Sequence, residues 1–227
     1  ISILNNRFKN KKKYHQFIGY FDNNKKLSFK TDHYTFFNQY IEKNEIKIFY
    51  NKNIDIKIRE NKIFLKQLNE NGRVLILDSD LENISILFEG FKRELIKNEN
   101  FNKNYYTTGC LTFYNNNFKN TIIESNNSIC EDSINILNSS GNIKKLVSNF
   151  ASYDGIDIDF SKVSIDEVIV NNSLNDCIDF SYGTYKINQV SLNNCGDKGI
   201  SAGENSSIEG AKLKISNSNI AIAIKDS

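Results

Sequence analysis

Proline, methionine and tryptophan are absent from this 227-residue chain, and histidine occurs only twice. His15 and His33 both precede the regular part of the sequence, and no Ser-His-Asp set, zinc-type spacing or phosphate loop is present. No run of about 18 apolar residues occurs, which excludes a membrane-spanning helix. The formal net charge is only +2, so the overall balance does not call for nucleic acid. The basic runs Asn10–Lys13 and Lys25–Lys26 read as solvated surface. There is no initiating methionine and no signal peptide, and the final phrase stops where another repeat would begin. The chain therefore reads as a piece of a longer one.

Four cysteines, Cys110, Cys130, Cys177 and Cys195, lack metal-type CxxC spacing. They read as small buried or corner residues, with one disulfide in an exported protein as the alternative. Cys110 and Cys130 are the pair spaced to stack as neighbours. Asparagine, in contrast, fills 36 of the 227 positions. It tolerates the left-handed backbone that tight corners need.

A fixed repeat organises the rest. Ile134, Ile156, Ile178, Ile200 and Ile222 recur every 22 residues, each inside a short alternating phrase such as Ile156-Asp157-Ile158. A second phrase, apolar-x-x-apolar-x-apolar, follows each at a steady offset. It reads Leu81/Ile84/Ile86, Phe118/Thr121/Ile123, Ile143/Leu146/Ser148, Ile165/Val168/Val170, Ile187/Val190/Leu192 and Ile208/Ala211/Leu213. Self-similarity at this period indicates a solenoid, and alternation within each phrase indicates strands rather than helices. The fold class expected is all-β, with stacked coils over residues 71–227. Residues 1–70 are expected to form an irregular β-rich cap or early coils. Short strands are expected there at Ile46–Phe49, Ile54–Ile58 and Lys62–Leu65, followed by a turn at Asn71-Gly72. The interval from Val74 to Leu111 is 37 residues. Its excess is expected to leave the coil between Phe88 and Gly109, with a short helix from Phe91 to Lys97, and to wall a groove.

The phrases resemble the right-handed parallel β-helix superfamily, the pectin-lyase-like architecture, over roughly residues 74–227. Within it, polygalacturonase-type glycoside hydrolases are similar in phrase order. The matching stretches here are Ser152-Tyr153-Asp154, Leu174-Asn175-Asp176, Asp197-Lys198-Gly199 and Ala223-Ile224-Lys225. The resemblance implies catalytic positions at Asp154, Asp176, Lys198 and Lys225. Three positions depart from it. Asn175 stands where that family carries the first aspartate of a pair, Lys198 replaces a histidine, and Ala223 replaces an arginine. Glycoside hydrolysis needs one carboxyl to protonate the leaving oxygen and another to activate water or act as nucleophile. Asparagine can do neither.

Alternation also places side chains. With Ile156, Ile158 and Phe160 inward, Asp157 and Asp159 point outward, and Asp179 does so one coil on. Asp132, Asp154, Asp176 and Lys198 form a second, corner column. Carboxylates one strand spacing apart repel. Lysine partners, a hard cation such as calcium among Asp157, Asp159 and Asp179, or one protonated carboxyl would each relieve them. Capping of backbone N–H groups is the purely structural alternative for the corner column. Asp157, Asp179, Tyr182 and Glu204 are the expected substrate contacts. Tyr153 and Tyr185 are near the ladder, and Phe113, Phe160 and Phe180 are expected in the core.

Two functions fit. One is an enzyme acting on polysaccharide as lyase, hydrolase or epimerase. The other is a non-catalytic surface, adhesin or polysaccharide-binding module. Either would be extracellular or at the cell surface, without nucleic acid or membrane insertion. They separate on geometry: an enzyme needs carboxyls converging across an open cleft, whereas a salt-bridged ladder indicates binding or structure.

Overall fold

Val74, Leu111, Ile134, Ile156, Ile178, Ile200 and Ile222 pair directly with one another, coil to coil, as a single column. The computed structural model describes residues 37–91 and 107–225, together with the backbone of 19–21 and 27–29. Among these residues there is no helix, and the chain winds into a parallel β-solenoid of about 6 turns. The basic runs and both histidines lie outside the described residues. So does the centre of the 37-residue interval, 92–106, with most of its expected helix.

The strands follow the sequence phrases. A short antiparallel pair, β1 (Gly19–Phe21) and β2 (Leu27–Phe29), comes first. Two antiparallel hairpins follow, β3 (Gln39–Lys43) with β4 (Ile46–Tyr50), and β5 (Ile54–Arg59) with β6 (Lys62–Gln67). The first parallel ladder runs through β7 (Val74–Leu77), β10 (Gly109–Tyr114), β12 (Asp132–Leu137), β14 (Asp154–Asp159) and β16 (Ile178–Ser181). The second runs through β8 (Asp80–Glu82) and β9 (Ser85–Glu89), then β11 (Asn117–Asn126), β13 (Ser140–Ala151) and β15 (Lys162–Ser173). β17 (Thr184–Ala202) and β18 (Ser207–Ile224) are long enough to serve both ladders.

At the first coil, β4 pairs antiparallel with β7 and β6 pairs parallel with β9. The hairpins thus give both ladders partners, which an open sheet edge would lack. No coil is interposed across the long interval, because β7 pairs directly with β10 and β9 directly with β11.

Side chains at the phrase positions fill one continuous core. Full burial of each isoleucine contributes about 1.5–3 kcal/mol, so the column is a main source of stability. Ile222, in the last described coil, is 47 % exposed. The second phrase shifts in register at two places. Phe118 meets Gly141 rather than Ile143, through an irregularity between Phe118 and Thr121. Ile208 meets Tyr185, and Leu213 meets Val190.

Corners repeat as well. One left-handed column holds Asp78, Asn115, Asn138, Phe160 and Tyr182, and another holds Asn127, Phe150, Asn172, Asn194 and Asn217. Asparagine suits both the backbone and the stacking. The Asn138 amide donates to Asn115 Oδ1 at 3.2 Å, and the Asn194 amide donates to Asn172 Oδ1 at 2.9 Å. Phe113 and Phe180 are core residues as expected. Phe160 is not. It takes a φ of 51° at the end of its strand, which turns it out of the alternation.

Candidate functional site

The corner column is held by hydrogen bonds from one coil to the next. Asp154 Oδ1 accepts the backbone N–H of Asp176 at 2.8 Å and the Asn175 amide at 2.7 Å. Asp176 Oδ1 accepts the backbone N–H of Lys198 at 3.0 Å and its Nζ at 3.2 Å. Lys198 Nζ also donates to Asp197. Burial alone would lower the pKa of Lys198, but its hydrogen bonds to Asp197 and Asp176 outweigh this and raise it. Asn175 therefore has a role in the column. Asn175 donates to a carboxylate that a second aspartate would repel.

Asp154 remains the chemically unusual member. Burial pushes its carboxyl up to about 7 against its hydrogen bonds from Asn175 and the Asp176 N–H, with Asp176 and Asp179 adding repulsion. Asp132, its partner on the preceding coil, is also raised well above the ordinary range. Burial is the main cause, followed by the charges of Asp154 and Glu131. Asp132 Oδ2 is buried without a hydrogen bond.

The outward column reads Thr112, Asn135, Asp157, Asp179, Ser201. The Asn135 amide donates to Asp157 Oδ2 at 2.9 Å. Burial raises the Asp157 carboxyl well above its usual range, reinforced by Asp159, Asp132, Asp179 and Asp154. The outward direction expected for this column does not mean exposure at every position. Asp159 is only 6 % exposed, and Thr112 and Ser201 are fully buried although alternation points them away from the coil interior. Alternation tells which side of a strand a residue occupies, not whether that side meets water. Among the described residues, no group of three His, Cys, Asp or Glu is placed to hold a metal ion.

The remaining expected site residues lie elsewhere. Lys225 is exposed and follows the far end of its strand, its N–H bonded to the Ala202 carbonyl. Ile220 is the residue that pairs with Lys198. Lys225 lies five positions beyond it, about 16 Å along the chain at the usual strand rise. Glu204 is exposed beyond the end of β17, and its carbonyl accepts the Tyr182 N–H at 2.9 Å. Tyr182 is half-buried and stacks on Phe160, with centroids 4.8 Å apart and an interplanar angle of 9°. Tyr185 is a core residue rather than a ladder one. Its hydroxyl lies 2.7 Å from the Ser181 carbonyl and 2.9 Å from that of Ile158. Asp154, Asp176 and Lys198 are therefore together, with Asp157 and Asp179 nearby, while Tyr182, Glu204 and Lys225 belong to the opposite strand end.

Both cysteine pairs form disulfides, Cys110–Cys130 and Cys177–Cys195, with Cα atoms 5.5 and 5.3 Å apart. The sequence pointed to one neighbouring pair. The second pair was legible only in a separation just short of one coil. Sequence reading also passed over the outward face of β5, β6 and β9, where Phe64 and Leu87 line a groove between charged side chains. The signal was present in the alternation of β5 and β6, but those strands were read as a cap or early coils.

Among the described residues, no helix is long and apolar enough to cross a membrane. Comparison of the chain with known protein families, curated proteins and solved structures finds no match. The class defined by the fold is that of parallel β-solenoids.

Proposed function

We propose that this chain is an exported, non-catalytic β-solenoid module that binds polysaccharide. One observation carries the reading. Asp154 and Asp176 each cap the next coil, and Lys198 is tied between Asp176 and Asp197. Side chains committed to register are poorly placed to exchange protons with a substrate. Two disulfides favour an oxidising compartment, and hence the extracellular space or cell surface. The pectin-lyase-like phrase order supports saccharide as the ligand class, as an analogy of fold.

The test is retention of the whole chain by immobilised neutral and acidic polysaccharides, run beside an assay for new reducing ends. Retention without new reducing ends is expected. Turnover would overturn the non-catalytic part, and absence of retention on every polysaccharide would overturn the binding part. A second reading rests on Asp154, whose carboxyl lies near 7 and suits a proton donor. On that reading new reducing ends appear and are lost in Asp154→Asn.

A further inference from the structure

We propose that the groove over Phe64 and Leu87 binds a carboxylated sugar unit of an acidic polysaccharide, which rests on the binding reading above. The groove lies at the start of the second ladder, on different strands from the aspartate columns of the first ladder. Its register is set by three strands. Lys57, Phe64 and Leu87 form one cross-strand row, and Asp55, Lys66 and Glu89 form the next. Arg59 ends β5 one outward position beyond Lys57. Together they line a cleft of about 300 Å³.

The chemistry of the lining is selective. Phe64 is 36 % exposed, and Leu87 beside it is half-buried, so an apolar floor faces water. Both carboxylates at the rim already have partners. Asp55 lies 3.8 Å from Lys57 Nζ, and Glu89 accepts the Asn127 amide at 2.9 Å. Arg59 and Lys66 are exposed, and neither makes an ion pair among the described residues. An aromatic floor between two available cations suits a ring that is apolar on its face and anionic at its edge. A uronate has that form, and the planar fork of Arg59 matches its carboxylate with two parallel hydrogen bonds. Single-stranded nucleic acid is the less suitable occupant. It needs successive stacking rings along a continuous positive track. Here one ring is available, and Asp55 and Glu89 interrupt the positive charge.

The experiment is calorimetric titration of the whole chain with oligogalacturonate. Its carboxyl-reduced, neutral counterpart and a single-stranded oligonucleotide are the comparison ligands. The variants are Phe64→Ala, Arg59→Gln and Lys66→Gln, with Lys212→Gln, exposed on β18 outside the groove, as control. Oligogalacturonate should bind, and Arg59→Gln should weaken it by about tenfold or more, since a lost hydrogen bond to a charged group has that scale, while Phe64→Ala should weaken it by removing the apolar floor. The Lys212→Gln control should bind like the wild type. Arg59→Gln removes no apolar packing and decides the question if Phe64→Ala melts early. Unchanged affinity in the groove variants overturns the groove and leaves polysaccharide binding standing. Preference for the neutral oligosaccharide or the oligonucleotide overturns the groove as well. If no saccharide binds, this proposal and the function proposed above both fall.

Discussion

Removing the carboxylate of Asp176 tests the corner column most directly. Asp176 is 3 % exposed and accepts two donors from Lys198, one from the backbone and one from the side chain. Asp176→Ala leaves the Lys198 N–H without its acceptor and halves the anionic surroundings of a largely buried ammonium group. Breaking a buried ion pair costs about 3–5 kcal/mol when nothing remains for the surviving charge. Asp197 does remain, and it is partly exposed. The expected cost is therefore lower, about 2–4 kcal/mol. At roughly 2–4 °C per kcal/mol for a domain of this size, Tm should fall by about 4–16 °C. Asp176→Asn retains an oxygen for the Lys198 N–H and loses only the charge, so its fall should be about half as large. The assay is thermal unfolding followed by far-ultraviolet circular dichroism near pH 7, with binding measured alongside. A Tm for Asp176→Ala within about 1 °C of wild type would refute a structural role for the column. So would a loss of saccharide turnover or binding with unchanged Tm, which would mark Asp176 as functional instead.

Two further outcomes follow from the same geometry. Asp132, Asp154 and Asp157 have folded-state pKa values raised above the ordinary carboxylate range, Asp154 to about 7. In that window the folded chain holds protons that the unfolded chain has released, so stability falls as pH rises from about 4 towards 7 and above. Calorimetry should give a higher Tm at pH 5 than at pH 8, and Asp157→Asn should flatten the difference; a Tm that rises over this range contradicts the burial of these groups. The disulfides close loops with separations of 20 and 18 residues, each contributing about 3 kcal/mol on a chain-entropy account. Reductant should lower Tm by about 6–12 °C per bridge, and a melt unaffected by reductant argues against bridges in solution.

What the sequence discloses about a solenoid depends on which neighbours decide a side chain's surroundings. Ile134, Ile156, Ile178 and Ile200 are buried by the same position one coil before and after. Their spacing alone therefore specifies both their direction and their burial. The hairpin strands β4, β5 and β6 were legible for a similarly local reason, alternation between turns. Asp159 shows where this stops. Its direction follows from Ile158, but its burial depends on what lies over the sheet, and no period encodes that. Phe160 and Tyr182 show a second limit. The repeat marks them as successors of Asn115 and Asn138, yet only the left-handed backbone reveals that position as a corner rather than the end of an inward alternation. Bulky side chains rarely take that conformation. Stacking on each other offsets part of its cost, by about 0.5–1.5 kcal/mol for an aromatic pair. Residues in the repeat thus declare the coil, whereas the positions that break its usual chemistry, Asn175 beside Asp154 and the aromatics at the asparagine corner, acquire meaning only from the residue stacked next to them.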